Sequence, residues 1–137
     1  MPKPTKRYAE IRSRFARAGP VRMLGMKLAN LRRGRAELTL DPEPRHSHLD
    51  GVHGGVLAAL ADTAMALAVW TLVPTSTRIA TVEMKINYLA PHRRGRLRAE
   101  ARVLRLGKRL AVGEAEIRDQ RRELIAKSLM TYSLRHA

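Results

Sequence analysis

The sequence predicts an α+β domain: an antiparallel sheet of about six strands wrapped round one long central helix, preceded by a short helix. Residues 53–72 are apolar on every face of a helix, so this stretch must be buried by protein or by a membrane. Most of the remaining chain alternates polar and apolar residues with the period of a strand. At 137 residues the chain forms one domain, residues 1–137, large enough for a core. A sheet curled round the helix is the economical way to bury every face of it.

The N-terminal part of the chain predicts a helix followed by a hairpin. Residues 1–7 form a basic arm that we expect to be mobile. Residues 8–18 predict an amphipathic helix, which ends at Gly19 and Pro20. Residues 23–40 predict a β-hairpin, because two alternating runs flank a turn at Arg32-Arg33-Gly34.

The segments on either side of the central helix differ in character. Residues 41–51 contain two prolines and predict a loop. Four strands follow the helix, and we expect them at residues 78–89, 96–105, 108–119 and 124–134. In the first of these, alternation places one apolar set on one face and one polar set on the other: Ala80, Val82, Met84, Ile86 and Tyr88 against Thr81, Glu83, Lys85 and Asn87.

Asp62 lies in the middle of the apolar helix, and its presence there argues against a transmembrane segment. An Asp near the centre of a bilayer costs about 2.5–3.5 kcal/mol, and the alanines around it contribute little insertion energy. A buried carboxylate needs a partner or a function, so Asp62 either braces a neighbouring loop or carries out chemistry. The pair Gly54 and Gly55 favours chemistry, because free N–H groups at the start of a helix can bind a carbonyl oxygen or an oxyanion.

Composition narrows the classes of function. The chain has no cysteine, which excludes disulfides, thiolate metal sites and cysteine nucleophiles. His46 and His48 are spaced like metal ligands, but no third ligand follows at suitable spacing, and we expect no metal site. No apolar leader follows the basic N-terminus, so we expect a cytoplasmic protein.

The formal net charge of +15 suggests a nucleic acid, an anionic membrane surface or a polyanionic small molecule as partner. Basic residues spread over a solvated surface explain this charge more simply than a nucleic-acid partner does. They are dispersed along the chain and no known nucleic-acid motif is present, so we expect no specific nucleic-acid partner.

Three stretches of the chain together resemble one enzyme family. They are His53-Gly54-Gly55-Val56 with Leu60-Ala61-Asp62-Thr63-Ala64, then residues 80–91 (ATVEMKINYLAP), and last Arg105-Leu106-Gly107-Lys108-Arg109. In this order they resemble the hotdog-fold acyl-CoA thioesterases of the phenylacetate-pathway (PaaI) type, in the 4-hydroxybenzoyl-CoA thioesterase superfamily. The resemblance implies a hotdog fold and hydrolysis of an acyl-CoA or aryl-CoA to free acid and CoA. It implies no cofactor apart from the coenzyme A of the substrate.

The resemblance also implies roles for individual residues. Asp62 matches the family's catalytic carboxylate, which acts as general base or nucleophile. Gly54 matches the residue whose backbone N–H polarises the thioester carbonyl. Thr81 stands where the family often has a Ser or Thr that positions the attacking water.

The loop before the helix departs from the family pattern. The family usually has an Asn there that contacts the carbonyl, whereas this chain has none, and we expect Ser47 or His48 to substitute. We expect His53 to order the start of the helix beside Gly55 rather than to act as a base. Without that Asn, an acyl-CoA-binding protein without catalytic activity is the alternative function.

Two basic turns resemble positions that border the CoA nucleotide in the family. They contain His92, Arg93 and Arg94 in one turn and Lys108 and Arg109 in the other. Phosphates favour Arg and Lys as partners, although either turn is also an ordinary charged turn by composition.

The spacing of Gly54 and Asp62 predicts an oligomer. Eight residues separate them, which is about 12 Å along one helix, too far for both to act on one carbonyl. A working site therefore needs Gly54 from one subunit and Asp62 from another, in a homodimer or in a tetramer built from two dimers. Neither a G-x-S-x-G nucleophile motif nor the Gly-Asp-x-Asn-Pro-x-His pattern of hotdog hydratases is present.

Overall fold

The structure, a computed structural model of the chain, describes residues 4–137. Its helices are α1 (Pro4–Arg17), α2 (Gly19–Leu24) and α3 (Gly54–Trp70), with a 3-10 turn at Pro44–His46. Its strands are β1 (Lys27–Arg32), β2 (Arg35–Leu40), β3 (Ser47–His48), β4 (Gly51–Val52), β5 (Arg78–Tyr88), β6 (Leu97–Leu106), β7 (Leu110–Arg118) and β8 (Leu124–Arg135).

Six of the strands form one antiparallel sheet that covers α3, as predicted. The strand order is β1-β2-β6-β7-β8-β5, which leaves β1 and β5 at the two edges, and β3 and β4 form a separate small ladder. Helix α3 packs mainly on β6, β2 and β7, in the middle of the sheet. Within residues 4–137, no helix is both long and apolar enough to cross a membrane.

Small residues on the inner face of the sheet let α3 approach closely. Ala99, Ala101, Ala111 and Ala115 are all buried beneath the helix. At Gly113 a Cβ would collide with the Met65 side chain and lie 2.6 Å from the Arg102 carbonyl oxygen. Small side chains therefore fill the interface between α3 and the sheet and let the two pack closely, in keeping with the low aromatic content of the chain, 4%.

The N-terminal segment differs from the prediction. Helix α1 begins at Pro4 rather than at residue 8, so residues 4–7 belong to a helix and the prediction of a mobile arm is wrong for them. Residues 1–3 of that predicted arm lie outside the described residues. Arg7 is buried, and its Nη1 donates to the carbonyl oxygen of Thr71 (2.7 Å) just after α3, where the helix dipole favours a cation. A further short helix, α2, precedes the hairpin.

Strand β5 contains a β-bulge that changes which residues face the helix. Thr81 lies opposite Tyr132 on β8 and Glu83 lies opposite Thr131, so Val82 has no partner in this ladder. Because the extra residue shifts the alternation, Thr81 faces α3 together with Met84, and Val82 is 58% exposed. The prediction that Ala80 and Val82 share the apolar face of Met84 is wrong.

The outer face of the sheet carries a network of ion pairs. Lys127 lies between Glu116 (3.0 Å) and Glu114 (3.7 Å), and Arg102 contacts Glu114 at 2.6 Å. The hydrogen bonds from Lys127 and Arg118 hold the pKa of Glu116 below its ordinary value. Exposed pairs of this kind contribute only about 0–1 kcal/mol each, so the core and not this network holds the fold.

Candidate active site

Asp62 lies in the middle of α3, half-buried, with two hydroxyl donors on one carboxylate oxygen. Thr81 Oγ1 on β5 donates to Asp62 Oδ1 at 2.8 Å, and the Tyr132 hydroxyl on β8 donates to the same oxygen. No hydrogen bond from another residue of the described chain reaches Oδ2. The carboxylate is therefore fixed through Oδ1 and keeps Oδ2 available for a ligand or a water molecule.

Tyr132 is a site residue that the sequence analysis did not single out. Its ring is buried on the inner face of β8, and its hydroxyl also donates to the backbone oxygen of Asp62 at 2.6 Å. Burial, together with the hydrogen bond to Asp62, raises the pKa of Tyr132 above its ordinary value and keeps the phenol protonated as a donor. The sequence did contain a sign of this role, because a tyrosine on the apolar face of a strand buries a phenol that needs a hydrogen-bond partner.

A cavity of about 290 Å³ lies beside this carboxylate, and we call it the Asp62 cavity. The N-terminal helices and the central helix both line it: α1 and α2 supply Phe15 and Val21, and α3 supplies Ala66 and Trp70 besides Asp62 itself. It is a mostly apolar space with one carboxylate at its edge.

The start of α3 forms the second part of the candidate site. His53 is the N-cap residue, and its Nδ1 accepts a hydrogen bond from the Gly55 N–H at 2.8 Å. Gly54 is the first helical residue, and its N–H donates to no other described residue. Tyr88 at the end of β5 stabilises this turn, because its hydroxyl donates to the Gly54 carbonyl oxygen at 2.9 Å.

The loop residues offered as substitutes for the missing Asn occupy different places. His48 lies edge-to-face with His53, with 6.1 Å between the ring centroids, and it lines a cavity of about 350 Å³ together with Gly54, Tyr88 and His92. The Ser47 hydroxyl instead bonds back to the carbonyl oxygen of Glu43 (3.5 Å), outside that lining. Of the two, only His48 adjoins Gly54.

His46, the other histidine of this loop, is buried and has both ring nitrogens in hydrogen bonds. Nδ1 accepts from the Glu43 N–H at 2.8 Å, and Nε2 lies 2.7 Å from the Leu24 carbonyl oxygen. His46 therefore ties the loop to the end of α2.

The two basic turns lie at opposite ends of β5. Arg93 follows the end of β5 and lies against Gly51, where a Cβ would come within 2.5 Å of the His92 carbonyl oxygen. The Lys108–Arg109 turn packs against the end of β8, where Leu134 N–H donates to the Arg109 carbonyl oxygen at 2.8 Å. Strand β5 spans about 33 Å, so one chain cannot bring both turns to one ligand.

The predicted site residues therefore form two groups. Asp62 and Thr81 meet at one end of β5, and the group around Gly54, with His48, His53, Gly55 and His92, lies at the other end. Within α3, Gly54 and Asp62 remain about 12 Å apart along the axis.

A six-stranded antiparallel sheet wrapped round one buried helix is the hotdog architecture. The Escherichia coli PaaI protein shares this fold with a TM-score of 0.86, over 94% of this chain and 93% of that chain, at 24% identity. Residues 50–126 match the family described as the Thioesterase superfamily. The chain belongs to this superfamily.

Individual relatives agree with that assignment. A Saccharolobus solfataricus protein named for an inferred esterase activity is 33% identical over 131 residues, which are 94% of this chain and 91% of that protein. The medium/long-chain acyl-CoA thioesterase YigI of Escherichia coli K12 is 29% identical over 81% of this chain and 82% of its own. A thioesterase family protein of Silicibacter pomeroyi has a TM-score of 0.90 at 26% identity, covering 96% of this chain and 99% of that one. The family assignment supports thioester hydrolysis and, with it, the hydrolase class.

Proposed function

We propose that this protein hydrolyses acyl-CoA thioesters, with Asp62 as general base or nucleophile and the Gly54 N–H polarising the carbonyl. The observation that carries the proposal is the carboxylate held at Oδ1 by Thr81 and Tyr132, with Oδ2 free beside an apolar cavity. YigI, a relative over most of the chain, is named for hydrolysis of acyl-CoA.

The chemistry follows from the free carboxylate oxygen. As a base, Asp62 Oδ2 takes a proton from a water molecule whose oxygen attacks the thioester carbonyl carbon, and the C=O π electrons move to oxygen. As a nucleophile, Oδ2 attacks that carbon itself and water then hydrolyses the acyl intermediate. In either case the C–S bond breaks, and the CoA thiolate is a good enough leaving group to need no separate acid.

The Gly54 N–H supplies the complementary charge. A backbone donor at the start of a helix is aligned with the helix dipole, so it stabilises the negative charge that develops on the carbonyl oxygen. The Tyr88 hydroxyl and the His53 cap fix the backbone of this turn, which keeps the donor pre-oriented.

The two halves of the site meet if two β5 strands pair across their free edges. Strand β5 has β8 on one side and no strand on the other within the described chain. Antiparallel pairing about a two-fold axis at Lys85, with Val82 again left unpaired as the bulge, places Thr81 of one subunit opposite Tyr88 of the other. Asp62 then faces Gly54 of the partner subunit, and a homodimer holds two shared sites. A tetramer made of two such dimers keeps the same sites.

The same pairing brings the two basic turns together. The Lys108–Arg109 turn lies at the Thr81 end of β5, and Arg93 and Arg94 lie at the Tyr88 end, so turns from different subunits flank one site. None of these four side chains forms an ion pair with a carboxylate of residues 4–137. Unpaired cations at a site entrance suit the phosphates of coenzyme A.

The test is a panel of acyl-CoA and aryl-CoA thioesters assayed for release of free thiol, with Asp62→Asn as the matched variant. Asn can accept both hydrogen bonds at its Oδ1, so the fold is retained, whereas turnover should fall at least about a hundredfold. Near-normal turnover by Asp62→Asn would contradict the mechanism. Tight binding of acyl-CoA without any turnover would instead indicate a binding protein without catalytic activity.

A further inference from the structure

The Asp62 cavity runs along one face of α3. Asp62, Ala66 and Trp70 all line it, and their spacing of four residues places them above one another on the helix. Trp70 therefore lies two turns beyond the carboxylate, about 12 Å along the helix axis. The cavity has a reactive end at Asp62 and a far end at Trp70.

The wall facing α3 is apolar. Phe15 of α1 and Val21 of α2 are 7% and 5% exposed, and Ile79 of β5 lies on the same side. The hydroxyls of Thr81 and Tyr132, which also line the cavity, already donate to Asp62. Thr63 also lines the space, but its hydroxyl already bonds to the Ala59 carbonyl oxygen at 2.8 Å. At the far end the Arg14 guanidinium stacks over the Trp70 ring, 5.3 Å from its centroid. An uncharged hydrocarbon fits this lining and a polar ligand does not.

We propose that the Asp62 cavity holds the acyl group of the thioester and that this acyl group has an apolar body of about six to ten carbon atoms. The inference rests on the proposed hydrolysis at Asp62. A water molecule takes about 30 Å³ of liquid and a methylene group takes similar room, so a cavity of about 290 Å³ has space for at most about ten such groups. Ala66 and Trp70 then set the length that fits.

Two variants on this face should move the chain-length optimum in opposite directions. Ala66→Leu fills the middle of the cavity, so kcat/KM should fall about tenfold or more for octanoyl-CoA and by a much smaller factor for the shorter butyryl-CoA. Trp70→Ala opens the far end, so the optimum should move from octanoyl-CoA towards dodecanoyl-CoA. A variant that merely loosened the fold would lower turnover of all three substrates together.

Binding in the cavity can be measured without turnover through tryptophan fluorescence, because Trp70 is the only tryptophan of the chain. Bromine quenches tryptophan fluorescence on contact, so 8-bromooctanamide and 2-bromooctanamide form a matched pair of neutral probes. With its amide at Asp62, the first places bromine at Trp70 and the second places it near the carboxylate. We expect strong quenching by 8-bromooctanamide and weak quenching by 2-bromooctanamide at saturation, and loss of the difference in Ala66→Leu.

The outcomes separate this inference from the proposed function. Quenching that favours the 8-bromo probe, in a protein that hydrolyses none of the thioesters, supports the acyl cavity and rejects the hydrolase. Hydrolysis with an unchanged chain-length optimum in both variants overturns the acyl cavity and leaves the hydrolase standing. Equal quenching by the two probes also overturns it, whatever the kinetics show.

Discussion

The Tyr132 hydroxyl donates to both the side chain and the backbone of Asp62, through Oδ1 and through the carbonyl oxygen at 2.6 Å. One phenol on β8 thus fixes the rotation of the carboxylate and the position of the helix turn that carries it. Thr81 donates to the same Oδ1 from β5, so two strands hold one oxygen.

Tyr132→Phe should reduce kcat about tenfold or more and leave KM nearly unchanged, because the carboxylate loses one of the two bonds that orient it. The free energy of unfolding should fall by about 1.5–3 kcal/mol, the value of a hydrogen bond to a charged group. Steady-state kinetics and urea unfolding measure the two effects. Tyr8→Phe, which removes a hydroxyl from a half-buried ring on α1, is the control. An increase in KM alone would assign Tyr132 to substrate binding.

The raised pKa of Tyr132 predicts a loss of stability in alkali. In the unfolded chain this phenol ionises above about pH 10, whereas in the folded protein it stays protonated. The unfolded state then binds fewer protons, so the contribution of Tyr132 to stability is complete below pH 10 and declines above it, by up to about 1.4 kcal/mol per pH unit. Urea midpoints measured from pH 9 upward should fall more steeply for the wild type than for Tyr132→Phe. Parallel curves would show that Tyr132 titrates alike in both states.

Mixed dimers should restore activity from two inactive variants. Asp62→Asn lacks the base and Gly54→Pro lacks the N–H donor. His53, with ψ 136°, already has the backbone conformation that precedes proline. After joint unfolding and refolding, about half of the dimers should be mixed, each with one intact site, giving about a quarter of wild-type activity.

Gly54→Ala is the control for that experiment. Its Cβ would lie 3.0 Å from the Tyr88 Cζ, a strain that proline shares, but alanine keeps the N–H. Gly54→Ala should therefore be clearly more active than Gly54→Pro. If mixed dimers are confirmed by mass and no activity returns, Gly54 and Asp62 do not act in one shared site.

Neutralising a basic turn should weaken recognition of the CoA nucleotide only. Replacing Arg93 and Arg94, or Lys108 and Arg109, by Ala should raise KM for acyl-CoA and leave short acyl-pantetheine thioesters almost unaffected. Replacing Arg32, the last residue of β1, and Arg33, in the turn after it, by Ala is the control with the same charge change. Equal effects on the two kinds of substrate would show that these residues do not contact the nucleotide.

Much of the fold could be predicted because it depends on local pattern. A helix apolar on every face can only be central, and the alternating stretches after it recur as β5 to β8 within two residues of their expected ends. The early start of α1 could not be predicted in this way. It depends on Arg7 reaching the end of α3, sixty-four residues away in sequence, and a basic residue near a terminus is normally expected at the surface.

Asp62 could be predicted from the sequence because of its chemistry. Tyr132, the site residue that the sequence analysis missed, is recognised only from the geometry of the fold. Asp62 stands out because no other carboxylate lies in the apolar helix, whereas Tyr132 looks like an ordinary aromatic residue on a core strand. Its role appears only when β8 is paired with β5 under α3, which places Tyr132 opposite Thr81. The bulge at Val82 is equally a property of that pairing and not of the β5 sequence itself.

The bulge also limits how β5 can change its length in evolution. Removing Val82 alone would leave Thr81 opposite Tyr132 and Glu83 opposite Thr131 in one regular ladder, because Val82 is the residue without a partner, and Thr81 and Met84 would still face α3. Removing a residue from the regular part of β5, such as Lys85, would instead turn part of the strand over, because a strand has only two faces. Homologous strands should therefore tolerate the gain or loss of one residue at Val82, whereas a single-residue gap further along β5 marks the loss of either the hydroxyl at Asp62 or the core contacts.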